Sequence, residues 1–139
     1  MLNILFLCTG NSCRSQMAEG FGRSLKDSKY KFFSAGTVKH GLNPLAVKVM
    51  SEVGIDISSH ESNTLEDFKE THFDIVFTVC SDADQNCPHM PASRVIHVGF
   101  DDPPRLTREI SDEEAILAVY RRVRDQIKSF VESLDERLY

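Results

Sequence analysis

A cysteine and an arginine stand close together in a loop near the start of this 139-residue chain. The loop reads Cys8-Thr9-Gly10-Asn11-Ser12-Cys13-Arg14-Ser15 and follows the apolar run of residues 2–7. A thiolate is a strong nucleophile, and a guanidinium group binds two oxygens of an anion at once. Where a loop turns into a helix, backbone N–H groups and the helix dipole also attract anions. The pattern predicts an oxyanion site in which Cys8 is the nucleophile and Arg14 binds the substrate.

Each residue of this loop suits that chemistry. The anion is expected to bind backbone N–H groups and the arginine side chain within the stretch Thr9, Gly10, Asn11, Ser12, Cys13 and Arg14. The same positive field lowers the pKa of the Cys8 thiol, and Ser15 can donate a hydrogen bond to the thiolate. A cysteine at a strand end is often only a small buried apolar residue, but here an arginine and a serine accompany it. Cys13 is interpreted as a packing residue, or as a partner that protects Cys8 through a reversible disulfide.

The elements that must position this loop alternate between strands and helices. Apolar patterns predict strands at residues 2–7, 30–34, 73–79 and 94–98, helices that begin near residues 15, 44 and 111, and a short helix at 65–69. This order predicts an α/β fold in a single domain over residues 1–139, with an open four-stranded parallel sheet and helices on both faces. Ligands of such folds bind outside the carboxyl ends of the strands, which is where Cys8 lies.

Two of the predicted helices carry end signals. Asn43 and Pro44 are expected to start the second helix and Gly54 to end it, with an inner face of Leu45, Val49, Met50 and Val53. A capping box of Ser111 and Glu114 is expected to start the last helix. The apolar face of that helix is predicted to comprise Ile116, Val119, Val123, Ile127, Phe130 and Leu134.

The overall composition argues against a nucleic-acid or membrane binder. The net charge is −5, although residues 1–40 hold six basic and only two acidic residues. No apolar stretch reaches the roughly 18 residues that span a bilayer, and the chain begins without the basic region of a secretory signal. We therefore expect a cytoplasmic protein without nucleic-acid or membrane partners, whose four cysteines are thiols at rest.

The loop and several other motifs resemble the low-molecular-weight protein tyrosine phosphatases and the arsenate reductases built on the same fold. The resemblance includes the loop of residues 8–15 and continues through residues 16–19, 34–36, 54–56 and 101–103 to the last helix. It therefore covers nearly the whole chain. It implies a four-stranded parallel sheet with flanking helices.

Cys80 and Cys87 decide between the two activities of this superfamily. A phosphatase does not need them, whereas reduction of As(V) to As(III) takes two electrons, which thiols supply by forming a disulfide. Their spacing suits such a bridge, and the polar segment around them resembles the redox element of thioredoxin-coupled arsenate reductases. Two alternatives remain: a zinc site formed by Cys80, Cys87 and His89, or two buried cysteines without a redox role.

Asp102 precedes Pro103, and the resemblance implies that this aspartate is the general acid that protonates the leaving oxygen. Asp101 is the alternative acid, and the run of two aspartates and two prolines also suits a simple turn. The phosphatases place aromatic residues after this motif, where they line a phosphotyrosine cleft. Here Pro104, Arg105 and Leu106 follow, which favours a small inorganic oxyanion as the substrate.

The resemblance thus implies a cysteine relay that reduces arsenate. Cys8 attacks arsenic, Cys80 and then Cys87 form successive disulfides, and thioredoxin regenerates the thiols, while phosphate and sulfate compete as oxyanions. One alternative is a phosphatase that hydrolyses phosphate monoesters through a phosphocysteine at Cys8. Another is a non-catalytic oxyanion sensor, although a sensor needs neither Asp102 nor a second cysteine pair.

No cofactor is required for this relay, and potassium is the one ion that the resemblance suggests. Asn11, Glu19 and Ser34 match positions that surround a potassium ion in some reductases of the family. Glu61 and Asn63 stand where that pattern has threonine and aspartate. The segment of residues 104–115 is longer than in compact members of the family, and we assign it no function.

Overall fold

The strand β1 (Leu2–Leu7) lies at the centre of the sheet in the computed structural model, which describes residues 1–79 and 94–138 and side chains to residue 136. Its side chains from Ile4 to Leu7 are fully buried, as expected for a nearly continuous apolar run covered on both faces. The other strands are β2 (Tyr30–Ala35), β3 (Ile75–Thr78) and β4 (Val95–His97), and the order in the sheet is β2-β1-β3-β4. All pairs are parallel, which confirms the predicted sheet.

The register brings three strand ends to one level. Leu7, the last residue of β1, pairs with Ala35 on one side and with Thr78 on the other. Thr78 in turn pairs with His97 of β4. The loops that follow these strands therefore leave the sheet at one edge, where side chains from distant parts of the sequence can meet.

The helices divide unequally between the two faces of the sheet. They are α1 (Arg14–Leu25), α2 (Pro44–Glu52), α3 (Pro103–Leu106), α4 (Glu113–Glu132) and α5 (Leu134–Leu138), with a 3-10 turn at Leu65–Phe68. On one face, α1, α2 and α4 pack together over a large cluster that includes Phe6 and Phe77. The opposite face carries a smaller cluster around Leu5 and Leu7, against which the 3-10 turn packs. No helix within residues 1–79 and 94–138 is both long and apolar enough to cross a membrane.

The second helix begins and ends as predicted. The Asn43 side chain accepts hydrogen bonds from Leu45 N at 2.8 Å and Ala46 N at 3.4 Å, and Gly54 ends the helix with a φ of +80°. The expected position of Val53 on the inner face is wrong, because this residue follows the last turn and is 39% exposed. Ala46 is buried instead.

The last long helix differs from the prediction at its start. Asp112 caps it, since its Oδ2 accepts a hydrogen bond from Ala115 N at 2.9 Å, and Ser111 lies outside the helix. The helix therefore starts one residue later than predicted, and the capping side chain accepts from Ala115 N and not from Glu114 N, which the predicted capping box would have used. Val119 and Ile116 are only partly buried, while the buried face includes Leu117 and Tyr120. The helix also ends at Glu132, so that Leu134 belongs to α5.

A short helix replaces the turn considered for the run of two aspartates and two prolines. Pro103 and Pro104 occupy the first two positions of α3, where a fixed φ and a missing N–H are tolerated. Thr107 closes it by donating a hydrogen bond from Oγ1 to the Pro103 carbonyl at 2.8 Å. Asp102 is thereby fixed at the start of a helix.

The contrast between Val49 and Val53 gives a test of the packing of α2. Val49 is fully buried, so Val49→Ala removes two buried methyl groups and is expected to lower the free energy of unfolding by about 2 kcal/mol. Val53→Ala is expected to change it by less than about 0.5 kcal/mol. Urea titration followed by circular dichroism measures both values. Equal losses in the two variants would contradict the placement of Val53.

Candidate active site

Cys8 is the first residue after β1 and lies at the shared edge of the sheet. Its backbone N–H donates to the carbonyl of Ala35 at 3.1 Å, so the thiol-bearing residue is held by the end of β2. Cys8 is 4% exposed. Residues 9–13 then connect Cys8 to Arg14, where α1 begins. The loop is therefore a direct turn from a buried strand into a helix.

The carbonyl oxygens of this loop are directed outward. Those of Thr9, Gly10, Asn11 and Ser12 all accept hydrogen bonds from outside the loop. The donors are Thr37 N at 2.9 Å for Thr9, His40 N at 3.1 Å for Gly10, Ser62 Oγ at 2.7 Å for Asn11 and Asn43 N at 2.9 Å for Ser12. In a planar trans peptide the N–H points opposite to the C=O. The N–H groups of residues 10–13 therefore point to the other, inner side of the loop.

Asn11 holds the backbone turn on which this arrangement depends. Its φ is +50°, in the left-handed region that asparagine tolerates better than most residues. Its Oδ1 accepts hydrogen bonds from Asn63 N at 2.6 Å and Gln16 Nε2 at 3.0 Å. Its Nδ2 donates to Ser15 Oγ at 2.9 Å. Because Ser15 Oγ accepts this bond, its own hydrogen can be donated elsewhere.

Gln16 is a residue of the site that the sequence pattern did not single out. It is fully buried, and its Nε2 lies within 3.1 Å of both oxygens of Asn11 and at 3.0 Å from the Glu61 carbonyl. Its Oε1 is 3.0 Å from His60 Nδ1, which must carry the hydrogen because an amide oxygen only accepts. Its neighbours Arg14 and Ser15 are also polar, so no signal in the sequence set Gln16 apart.

Gly36 allows the loop to rest directly on the end of β2. A Cβ atom built at this position would lie 2.5 Å from the Thr9 carbonyl oxygen and 2.9 Å from Asn11 N. Both neighbours are backbone atoms, which cannot move aside without displacing the loop. Only glycine fits this close approach.

Arg14 and Asp102 meet at the mouth of the loop. Arg14 is 3% exposed, and its Nη1 donates to the Phe100 carbonyl at 3.1 Å. Its Nη2 lies 3.8 Å from Asp102 Oδ2. Asp101, the alternative acid, points away and accepts a hydrogen bond from Arg122 of α4 at 3.0 Å. Of the two aspartates, only Asp102 is thus placed to act on a group bound by Arg14.

Cys13 has the environment of a packing residue. It is 4% exposed, and burial is the main cause that raises the pKa of its thiol far above the usual range, with the neighbouring Cys8 acting in the same direction. Arg14 opposes this shift but does not outweigh it. Cys13 therefore stays protonated, which favours the packing role over that of a reactive thiol.

The three potassium candidates are already engaged. Ser34 Oγ donates to Glu19 Oε1 at 2.5 Å, and Arg23 Nε lies 2.8 Å from Glu19 Oε2. Asn11 Oδ1 accepts the two bonds described above. Glu19 and Ser34 do line a cavity of about 400 Å³, together with Glu61 and Asn63, but the Arg23 cation also lines it. These contacts use part of the hydrogen-bonding capacity of the candidate oxygen atoms, and potassium binding stays a prediction.

The second cysteine pair and His89 lie outside the described residues, as residues 80–93 are not described. The described chain nevertheless shows where this segment begins. Val79 N donates to the Leu7 carbonyl at 2.9 Å, and the Val79 carbonyl accepts from Phe100 N at 3.2 Å. Residue 79 therefore lies beside the residue that precedes Cys8, at the same edge of the sheet. Within the described ranges, no group of three or more His, Cys, Asp or Glu residues could hold a metal ion.

Comparison with known proteins agrees with this geometry. Arsenate reductase 2 of Staphylococcus epidermidis is 46% identical over 96% of each chain, and the arsenate reductase of Halalkalibacterium halodurans is 47% identical over 96% of this chain and 94% of its own. Solved structures of an arsenate reductase in the oxidized state and in the phosphate-binding state match all of both chains, at 33% and 32% identity, with TM-scores of 0.80 and 0.76.

A phosphatase matches over almost the same length. The low-molecular-weight protein tyrosine phosphatase from T. tengcongensis is 25% identical over 99% of each chain, with a TM-score of 0.70. The family model for low-molecular-weight phosphotyrosine protein phosphatases matches residues 3–139. Both findings agree with the four-stranded parallel fold. The chain belongs to the low-molecular-weight phosphotyrosine protein phosphatase family.

Proposed function

We propose that this protein is an arsenate reductase that uses three cysteines in sequence. The observation that carries the proposal is the hydrogen bond between Val79 and Leu7, which starts the segment containing Cys80 and Cys87 beside the Cys8 loop. The relatives that match nearly the whole chain at 46–47% identity are arsenate reductases. A phosphatase needs a cysteine loop, but it does not need a second cysteine pair.

Arsenate binds inside the loop. The inward N–H groups of residues 10–13 and the helix dipole of α1 attract its negative charge. Arg14 binds two of its oxygens, because the guanidinium is held by the Phe100 carbonyl in a buried position. One of the structural neighbours is an arsenate reductase in a phosphate-binding state, and phosphate has the same tetrahedral shape. Phosphate and sulfate therefore compete for the site.

Cys8 then attacks arsenic as a thiolate. The loop N–H groups and a hydrogen bond from Ser15 stabilise the thiolate, and Asp102 protonates the departing oxygen, which leaves as water. A Cys8–arsenic bond replaces one arsenic–oxygen bond, so arsenic is still As(V) at this stage. Asp102 is suited to this step because it lies next to Arg14, with a side chain that is 23% exposed.

The two electrons are transferred in the next step. The Cys80 thiolate attacks Cys8 Sγ, the sulfur–arsenic bond breaks, and its electron pair stays with arsenic, which leaves as arsenite, As(III). A Cys8–Cys80 disulfide remains. Cys87 attacks Cys80 Sγ, which frees Cys8 and gives a Cys80–Cys87 disulfide. An external dithiol reduces this bridge, and we infer that thioredoxin in the cytoplasm supplies it.

The residues after Asp102 favour this substrate over an aryl phosphate. Phosphatases of this superfamily bind the phosphotyrosine ring against aromatic residues, whereas here the proline-rich start of α3 follows directly. Leu106 of this helix is 44% exposed and is its one large apolar side chain. A phenyl ring bound here would therefore be buried less than in a cleft lined by aromatic residues. Arsenate has no apolar ring and does not need such a cleft.

The relay predicts different defects for the three cysteine variants. With arsenate, thioredoxin, thioredoxin reductase and NADPH, the wild-type protein is expected to consume NADPH, and Cys8→Ser and Cys80→Ser are expected to release no arsenite. Cys87→Ser is expected to complete one turnover and stop with a Cys8–Cys80 disulfide, because only regeneration requires Cys87. NADPH absorbance, arsenite quantification and mass spectrometry of alkylated protein measure these outcomes.

An aryl phosphate assay serves as the control for this experiment. Any hydrolysis should require Cys8 but neither Cys80 nor Cys87. If the wild-type protein hydrolyses aryl phosphate and takes no electrons from any thiol donor in the presence of arsenate, the protein is a phosphatase. If it binds arsenate and does neither, the sensor alternative holds.

The role assigned to Arg14 predicts a loss of anion affinity without loss of charge. Arg14→Lys keeps one positive charge but cannot present two parallel donors, so its Kd for sulfate is expected to rise about 10- to 100-fold. Arg122→Lys is the matched control, since Arg122 pairs with Asp101 on the surface of α4. Calorimetric titration with sulfate measures both. An unchanged Kd in Arg14→Lys would exclude paired donation as the basis of binding.

A further inference from the structure

The segment of residues 37–43, between β2 and α2, holds most of the oxyanion loop. Its backbone N–H groups donate to the carbonyls of Thr9, Gly10 and Ser12, at distances from 2.9 to 3.2 Å. Asn43 is the last residue of this segment, and its own N–H donates to the Ser12 carbonyl at 2.9 Å. The direction of that carbonyl therefore depends on how firmly Asn43 is held in place.

The side chain of Asn43 is bound at both of its polar ends. Its Oδ1 caps α2 by accepting from Leu45 N at 2.8 Å and from Ala46 N at 3.4 Å. Because Oδ1 is the capping atom, the orientation of the amide is fixed, and Nδ2 is the end that faces α4. Nδ2 donates to the hydroxyl oxygen of Tyr120 at 3.1 Å. Asn43 thus joins two helices at the residue that holds the Ser12 carbonyl.

Tyr120 provides a rigid point for this bond. It is 3% exposed and belongs to the large apolar cluster between the helices and the sheet. Its helix, α4, packs against both α1 and α2. Loss of the hydroxyl would remove the acceptor of Asn43 Nδ2 in a partly buried place, while the cap of α2 would remain. The Asn43 side chain would then be held at one end and not at two.

This bond affects one particular donor of the anion site. The Ser12 carbonyl and the Cys13 N–H belong to the same peptide plane, so an outward carbonyl directs the Cys13 N–H inward. The preceding peptide is held from elsewhere, because the Asn11 carbonyl accepts from Ser62 Oγ at 2.7 Å. A displacement of Asn43 therefore tilts the Cys13 N–H and leaves the Ser12 N–H in place.

We propose that Asn43 and Tyr120 form a positioning pair, whose side-chain hydrogen bond directs the Cys13 N–H at the bound oxyanion. The inference rests on the proposed function, in which the anion binds inside the loop. Neither residue touches the substrate. Their contribution is to orient a donor before the anion arrives, so that binding does not require the loop to rearrange.

The first test measures anion affinity by calorimetric titration with sulfate. In Tyr120→Phe the sulfate Kd is expected to rise about 3- to 10-fold, because one donor is displaced but not removed. Asn43→Ser keeps a good helix cap but has no amide group to donate to Tyr120, so the same rise is expected. If the two side chains act as a pair, the double variant binds sulfate no more weakly than the weaker single variant.

The second test follows the backbone amides by NMR, since a general loosening of the loop would also weaken sulfate binding. In the wild-type protein, saturating sulfate is expected to shift the amide protons of Ser12 and Cys13 downfield, as both donate to the anion. In Tyr120→Phe the Cys13 shift is expected to be smaller and the Ser12 shift unchanged, because Ser62 still holds the Asn11 carbonyl. The Ser12 amide is thus an internal control.

Tyr30→Phe is the matched control variant. Tyr30 is also 3% exposed, but its hydroxyl donates to Asp135 at the amino-terminal end of β2, at the edge of the sheet opposite Cys8. Its removal is expected to leave the sulfate Kd and both amide shifts unchanged. Thermal unfolding measured by circular dichroism shows whether each variant is folded, and Asn43→Ser carries the same test if Tyr120→Phe does not fold.

Two results would overturn the positioning role. One is a sulfate Kd in folded Tyr120→Phe and Asn43→Ser equal to that of the wild-type protein. The other is an equal reduction of the Ser12 and Cys13 amide shifts, because it would mean that Tyr120 only supports the loop as a whole. A wild-type protein that binds no sulfate would instead contradict the proposed function, and this inference with it.

Discussion

The outward orientation of four consecutive carbonyl groups is the constraint on which the site depends. Thr9, Gly10, Asn11 and Ser12 each accept a hydrogen bond from another segment, and peptide planarity then turns the following N–H groups toward the inner side of the loop. A backbone hydrogen bond contributes only about 1 kcal/mol to stability. Its larger effect here is to orient the donors before the substrate arrives, so that no reorganisation is needed as charge develops.

The register of the parallel strands brings the other groups of the site to the same edge of the sheet. Because Leu7, Ala35 and Thr78 lie at one level, the residues that follow them reach the same edge of the sheet. Cys8 follows β1, and Gly36, which supports the loop, follows β2. Asp102 arrives from the segment after β4 and is fixed there by a two-proline helix start. Each of these groups thus comes from a different loop, so no single stretch of the sequence contains the whole site.

Local patterns were sufficient to predict the elements and the central loop. The apolar run of β1, the Asn43-Pro44 helix start and the spacing of Cys8 and Arg14 are each contained in a few neighbouring residues. Tertiary partners could not be predicted in this way. Gln16 and Asn43, which both contact the loop, also bind residues 45 and 77 positions further along the chain, and nothing in their sequence neighbourhoods indicates those contacts.

Choices between adjacent residues were predicted only in part, since the resemblance favoured Asp102 over Asp101 but the residues suggested Ser111 and not Asp112 as the helix cap. Ser111 and Asp112 can both cap a helix, and the structure uses the second because its carboxylate reaches the Ala115 N–H. Asp101 and Asp102 have the same chemistry, yet one faces Arg122 and the other Arg14. A shift of one residue along the chain thus changes each role.

The hydrogen bonds that hold the outward carbonyls can form only after their donors, which lie further along the chain, have been synthesised. The Ser62 hydroxyl that holds the Asn11 carbonyl is 51 residues further along the chain, and β3, which flanks β1, is added later still. A growing chain that has released only its first 40 residues from the ribosome lacks these partners. Its Cys8 is then an ordinary cysteine without an oriented ring of donors around it. The proposed nucleophile is therefore surrounded by its donors only after the sheet has formed around it.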